Sequence, residues 1–413
     1  MSVINKLCSR DLCTGCFACK QVCAKGAIHI VEKDSFFLYP EIDTSLCVGC
    51  SLCTKVCPVL NMNQVTAAIN KEESVSYAIW NNNMKDRVNS SSGGVFSAMA
   101  DRIIKDGGIV YGAAWDDAMR LSHVGVDDIG ELDTLRRSKY VQSSTDGTFN
   151  EVKVQLKKGR KVLFCGTPCQ VAGLLSFLGK KDYPNLLTVG VICHGVPSQK
   201  SFDKYIREIE DEKQVKVYDC NFRSKQFGWC TGLNLLIYGK NKKGRVVVIN
   251  RMFSKNSYFN AFLKKYFLRE SCYNCPYKED NNSWNADIML SDAWSLWPAV
   301  PWGSVDYRKG VSAVSVNTNK GGVFLRLCAD SFTIMERPYS EYASNSGLSS
   351  AQKPNNNDQA FDYLKSHSWM ETQAKFFPLA FKQKLPIYTR LVLGENAAIL
   401  IKRILRYFFR IHR

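Results

Sequence analysis

No apolar run near either end of the sequence approaches the 18 residues that a membrane-spanning helix requires. The opening stretch, Met1 to Cys8, has no apolar segment ahead of a small-residue cleavage site, so secretion is not expected. Both absences point to a cytoplasmic or membrane-surface protein with reduced thiols. Neither G-x-G-x-x-G nor a P-loop occurs, which argues against a conventional nicotinamide site. The C-x3-C-x2-C triple needed for radical chemistry with adenosylmethionine is also missing. What is present suffices for a core. The 413 residues are 45% hydrophobic and 23% charged, which excludes wholesale disorder and fits two or three domains of about 150 residues.

Cysteine is abundant: 17 in all, nine of them within the first 57 residues. An odd count in an unsecreted chain speaks for metal or redox chemistry over a disulfide framework. Cys13, Cys16, Cys19 and Cys23 are spaced C-x2-C-x2-C-x3-C, and Cys47, Cys50, Cys53 and Cys57 repeat the spacing, with Pro58 following. Three thiolates on a tight loop reach three corners of an iron–sulfur cube, and in two-cluster ferredoxins the fourth serves the other cluster. The expected ligand sets are therefore Cys13, Cys16, Cys19 and Cys57 for one [4Fe-4S] cluster, and Cys47, Cys50, Cys53 and Cys23 for the second. Gly15 and Gly49 let backbone pass close to the cluster sulfides. Paired zinc knuckles lack the third Cys and the x3 step, and Cys8 lies outside both runs as a spare thiol.

Asn61–Ser74 is polar and reads as a linker. Beyond it, Ser90-Ser-Ser-Gly-Gly94 opens a helical run, Val95 to Ile104, and a strand is expected over Ile109–Trp115. The Ser/Gly turn is either a phosphate seat at a helix N-terminus or a plain cap. Lys161–Cys165 and Leu186–Cys193 read as strands, each followed by a helix (Gln170–Leu178, and Ser198 to about Glu212). If parallel, they bring Cys165, Cys169, Cys193 and His194 to the edge where open α/β sheets bind ligands. Cys272 and Cys275 form a C-x2-C knuckle after an aromatic helix, Tyr258–Arg269. Cys169, Cys193, Cys272 and Cys275 would then close a third cluster, with a structural zinc as the rival. Cys220, Cys230 and Cys328 read as ordinary buried or loop thiols.

Ser90–Phe96, Ser138–Ser143 (SKYVQS), Val162–Gln170 (VLFCGTPCQ), Cys193–Ser198 (CHGVPS), Phe222-Arg-Ser-Lys, Gly228-Trp229, the Cys272/Cys275 knuckle and Ala286-Asp-Ile…Asp292-Ala-Trp294 occur in that order. Across about residues 75–330 the chain resembles the family of coenzyme F-420 hydrogenase/dehydrogenase beta subunits, fused to a two-cluster ferredoxin module. The resemblance implies a flavin, normally FAD, beside an iron–sulfur cluster. It would place the pyrophosphate near Ser91, Ser92, Gly93 and Gly94, and the flavin near Lys139, Tyr140, Gln142, Gly166, Thr167 and Pro168. It also strengthens the third ligand set and carries Asp292 and Arg223 over as contacts to flavin or substrate.

The expected fold class is α+β / α/β: a small bacterial-ferredoxin-like domain (1–62), a mixed α/β flavin-binding domain (75–330), and a helical C-terminal extension (331–413). The expected function is an iron–sulfur flavoprotein oxidoreductase. It would pass electrons between a ferredoxin-like or deazaflavin donor and an organic acceptor through [4Fe-4S] clusters and FAD, with Lys139 or His194 as proton donor. The alternative is an electron-transfer subunit of a larger complex, with a partner protein in place of a small substrate. Nucleic acid is not expected despite the net charge of +17, because Lys and Arg form no stripe interleaved with aromatics. Residues 380–413 contribute eight of the basic residues against Glu395. Within them, 396–413 reads as a basic amphipathic helix that either lies on an anionic membrane or packs on the body. Ser349–Asp358 is expected as an exposed loop.

Overall fold

The computed structural model describes residues 7–33, 35–62, 75–179, 183–229, 234–251, 256–278, 285–294, 305–343 and 346–379. Cys230, most of the 61–74 linker and the 396–413 helix lie outside them. The N-terminal module is a hairpin of β1 (Ile28–Glu32) and β2 (Leu38–Ile42), with short helices Ala18–Val22 and Leu52–Lys55 following the two cysteine loops. Each loop contains a left-handed glycine, Gly15 (φ 71°) and Gly49 (φ 69°), where other residues would be strained.

The main body is built on β3 (Val75–Asn81), β4 (Ile109–Trp115), β5 (Leu121–Val126), β6 (Val162–Gly166) and β7 (Leu186–Val191). A separate antiparallel sheet follows: β8 (Val215–Asn221), β9 (Leu235–Asn241) and β10 (Val246–Arg251). Then come β11 (Ile288–Asp292), β12 (Ser312–Val316) and β13 (Phe332–Arg337). The large sheet has eight strands, ordered β13-β3-β12-β11-β7-β6-β4-β5. Its centre, β11-β7-β6-β4, is parallel, and the flanking strands are antiparallel. Near-continuous apolar runs such as Val162-Leu-Phe164 are what a strand covered on both faces needs, and all three side chains are fully buried. The mixed α/β architecture thus stands as expected, and the two strands read as parallel neighbours are parallel neighbours.

Buried Asp287 locks the centre of this sheet. One carboxylate oxygen accepts from Thr188 N and Oγ1, both at 2.8 Å, and the other from Thr318 Oγ1 at 2.7 Å. Two expectations are corrected. The aromatic helix ends at Leu263, not Arg269, because Lys265 and Phe267 adopt left-handed φ values of 67° and 61°. The 349–358 segment is exposed only in part: Ser349, Gln352, Asn355 and Asp358 are exposed, whereas Asn356 accepts from Tyr266, Asn357 from the Phe267 amide, and Ala351 and Asn357 are buried.

Candidate redox site

The turn after β6 carries Gly166, Thr167 and Pro168 into the helix Pro168–Phe177. Thr167 caps that helix in a reciprocal box with Gln170, and its Oγ1 lies 3.2 Å from the Cys169 sulfur. After β7, Cys193 comes off the neighbouring strand, while Cys272 and Cys275 arrive from the knuckle beyond Arg269. All four cysteines line one cavity, together with Thr14, Thr167, Pro168 and Tyr277. Burial, then the thiols of Cys275, Cys193 and Cys272, raises the Cys169 pKa well above its ordinary value. Cys272 is pushed up to about 12 by burial, then by Cys193 and Cys275. Thiols that hinder one another's ionisation stay protonated unless a metal centre takes up the negative charge of their thiolates. The zinc rival requires sulfurs at about 2.3 Å from one point.

A second cavity is lined by Cys13, Cys16, Cys19 and Cys57, the four grouped from spacing, with Cys8, Cys53 and Thr14 also on its wall. Cys8, outside both runs in sequence, thus lies on the wall of this cavity. Cys53 is faced by Cys47 and Cys50, and Cys50 is exposed. The first and third sites adjoin. Thr14 lines both cavities. A Cβ on Gly173, one helical turn after Cys169, would stand 2.8 Å from Cys16 Cβ. Tyr277 is buried between them, its phenol pKa raised by burial and then by Cys16, Cys169, Cys57 and Cys275.

The residues linked to a flavin divide into separate groups. Tyr140 and Asp292 meet at Arg223, whose Nη1 donates to the Tyr140 hydroxyl (3.1 Å) and the Asp292 carboxylate (2.8 Å). Trp229 donates to Asp292 at 3.2 Å and stacks on Trp294 with centroids 4.1 Å apart. His194 lies beside this group, its pKa lowered to about 4 by burial and then by Lys265 and Lys278. Lys225 bridges to the Ser/Gly turn, donating to the carbonyls of Ser92 and Lys309. Gln142, by contrast, donates to Thr14 O (3.0 Å) and accepts from Arg269 (3.1 Å). It therefore serves the first cysteine loop. Lys139 Nζ donates to the carbonyls of Thr134 and Arg136, at 2.9 and 2.8 Å, and burial lowers its pKa to about 7.

The Ser/Gly turn is tied to its surroundings by its own polar groups. Ser91 Oγ accepts from Ser138 N, Ser92 Oγ donates to Val311 O, and Gly93 N donates to Ser312 Oγ. Gly93 is wedged against β3 and β12, so that any Cβ would collide with Ile79 O and Ser312 N. Those donors hold the turn to the sheet. Sequence reasoning missed Arg269, Tyr277, Thr14 and Gly173; of these only Thr14 lies inside a motif, between Cys13 and Cys16.

A family model for the C terminus of the coenzyme F420 hydrogenase/dehydrogenase beta subunit matches residues 159–341, and a 4Fe-4S dicluster domain matches residues 12–61. Over residues 159–341 the chain carries the C-terminal domain of the coenzyme F420 hydrogenase/dehydrogenase beta-subunit family. Its N-terminal module is a 4Fe-4S dicluster domain, and the family is one of oxidoreductase subunits. Among curated proteins, the F subunit of the F(420)H(2) dehydrogenase of Methanosarcina mazei is 22% identical over 346 residues, covering 81% of this chain and 87% of that protein. Among solved structures, a chain of the F420-reducing [NiFe] hydrogenase complex from Methanosarcina barkeri matches at 18% identity and a TM-score of 0.41, covering 78% of this chain and 93% of that one. Among the described residues, no helix is long and apolar enough to cross a membrane.

Proposed function

We propose that this beta-type subunit passes electrons between a partner protein and a coenzyme F-420-linked reaction, in line with the alternative weighed from sequence. The observation that carries this reading is the crossing of the helix Pro168–Phe177, whose Cys169 lines one thiol cavity while Gly173 abuts Cys16 of the next. Clusters bound at such sites supply single-electron transfer. Cys13, Cys16, Cys19 and Cys57 would hold the first, Cys47, Cys50, Cys53 and Cys23 the second, and Cys169, Cys193, Cys272 and Cys275 the third. The outer end suits protein docking: Leu46, Val48, Leu52 and Leu60 are all exposed around Cys50. A relative named as a subunit of a dehydrogenase supports a partner subunit.

In a second reading, the chain itself holds FAD and turns over a deazaflavin or an organic acceptor. The feature favouring it is the Tyr140–Arg223–Asp292 group, with Trp229, Trp294 and His194, next to Cys193. FAD there would couple single electrons to hydride chemistry, and His194 or Lys139 would be the proton carriers. Anaerobic reconstitution distinguishes these readings. About twelve irons per chain are expected, falling to about eight in Cys193→Ala. Eight irons plus one zinc in the wild type would remove the third cluster. One FAD per chain, with coenzyme F-420 turnover by the isolated protein, would favour the second reading. Cluster reduction without small-molecule turnover supports the first.

A further inference from the structure

Arg269 is 1% exposed, among the most buried large side chains of the molecule. Its guanidinium donates from Nε to Cys13 O (2.6 Å), from Nη2 to Leu38 O (3.1 Å), and from Nη1 to Gln142 Oε1 (3.1 Å). Nη2 also points at the Cys13 sulfur, 3.7 Å away. The ring of Tyr39 lies beneath the guanidinium, 4.2 Å from its carbon. These partners are neutral oxygens, a ring and a thiol; among the described residues no carboxylate pairs with it. The adjacent Glu270 is instead bonded to Lys353. A permanently charged group this deep is strongly unfavourable without a countercharge.

The surroundings are shaped to admit it. A Cβ on Gly15 would stand 2.8 Å from the guanidinium carbon and 2.8 Å from Nη1, so the glycine between Cys13 and Cys16 leaves space for this cation. The same arginine begins the knuckle of the third site, since Cys272 N donates to Arg269 O at 2.8 Å.

We infer that Arg269 is the built-in countercharge of the first cluster, a positioning residue that raises that cluster's reduction potential and joins it to the third site. Reduction adds a negative charge to a buried, already anionic centre, and a fixed cation touching a ligand sulfur favours the reduced form. The inference rests on the cluster reading above. Two variants of the full reconstituted chain test it. Arg269→Gln removes the charge. Gln142→Glu keeps the arginine but places a carboxylate on Nη1, and it serves even if Arg269→Gln does not fold. Potentiometric titration followed by electron paramagnetic resonance reads the first cluster, identified by the component lost in Cys16→Ala. At fixed ambient potential, both variants should lower its reduced-to-oxidised ratio at least about tenfold, or about 59 mV for one electron. Arg269→Lys should recover part of the shift. A change below about twofold in variants holding wild-type iron overturns the inference. A wild-type chain that takes up no iron at this site ends the reading and the inference together.

Discussion

Gly173→Ala tests whether Cys16 is held in place by a cluster. Within the helix Pro168–Phe177, replacing glycine by alanine is intrinsically favourable by about 1 kcal/mol. The new methyl would lie 2.8 Å from Cys16 Cβ, 3.1 Å from its sulfur and 3.2 Å from the Phe149 ring. Carbon contacts are best at about 3.5–4.0 Å, so one neighbour must retreat by several tenths of an ångström. In the metal-free protein Cys16 is free to draw back with its loop, Cβ and sulfur together, and alanine should be neutral or stabilising by up to about 1 kcal/mol. With the thiolate fixed on a cluster it has no such freedom, and overpacking of about 1–3 kcal/mol dominates. The variant should therefore melt at or above wild type when metal-free and below it when reconstituted. It should also lose the first cluster to a chelator roughly tenfold faster, since about 1.4 kcal/mol is a factor of ten. Equal shifts in both forms would refute the reasoning, because Cys16 would then be equally constrained with and without iron.

Two further outcomes are expected. His123 is buried, with its ring nitrogens on Ser143 Oγ and Cys165 O, and burial, then Lys139, lowers its pKa to about 4. An unfolded histidine titrates near about 6.5, so the unfolded chain binds the extra proton between these values. Stability should rise from pH about 4 to about 6.5 and be lost as pH falls through that window, by up to about 3 kcal/mol. Denaturant melts of His123→Gln should show a flatter pH profile; an unchanged slope would place the proton uptake elsewhere. Asp292→Asn leaves Arg223, 8% exposed, without its carboxylate and should cost about 3 kcal/mol in urea melts. Asp362→Asn, which breaks an exposed pair with Lys365, should cost under about 1 kcal/mol. Equal losses would mean that the Arg223 environment is not desolvated.

What was legible in the sequence follows the range of each interaction. Cysteine spacing reports loop geometry, which is local, so Cys13, Cys16, Cys19 and Cys57 could be grouped and do line one cavity. The β6 and β7 strands were readable because strands buried on both faces are apolar throughout. Gln142 bonds to Thr14 and Arg269, each far away along the chain. No local pattern encodes such contacts. Arg269 itself was read only as the end of an aromatic helix, although an arginine preceding a cysteine knuckle was a usable hint. The contacts of the Ser/Gly turn are of the same range: Ser92 and Gly93 answer to Val311 and Ser312, far along the chain. In sequence, that need is indistinguishable from a phosphate cradle.

The two cysteine loops differ in what holds them, and this yields a last expectation. The first is fastened from outside the module: Arg269 donates to Cys13 O, Gln142 to Thr14 O, and Thr145 to Cys16 O. The second is fastened from within, Asn61 donating to Thr54 O and Cys57 O and Thr54 to Ser51 O. The module also shares its core with the body, Phe36 and Phe37 packing edge-on against Phe361. In the whole chain the second cluster is the more accessible, because Cys50 is exposed whereas Cys13 and Cys16 are buried. A chelator should therefore strip the second cluster first. In an isolated 1–62 segment the three outside fastenings are gone while the inner ones remain, so the first cluster should be lost first. Iron release followed by the loss of each cluster's paramagnetic signal reads the order directly. The same order in the segment as in the whole chain would show that the body contributes nothing to the first loop.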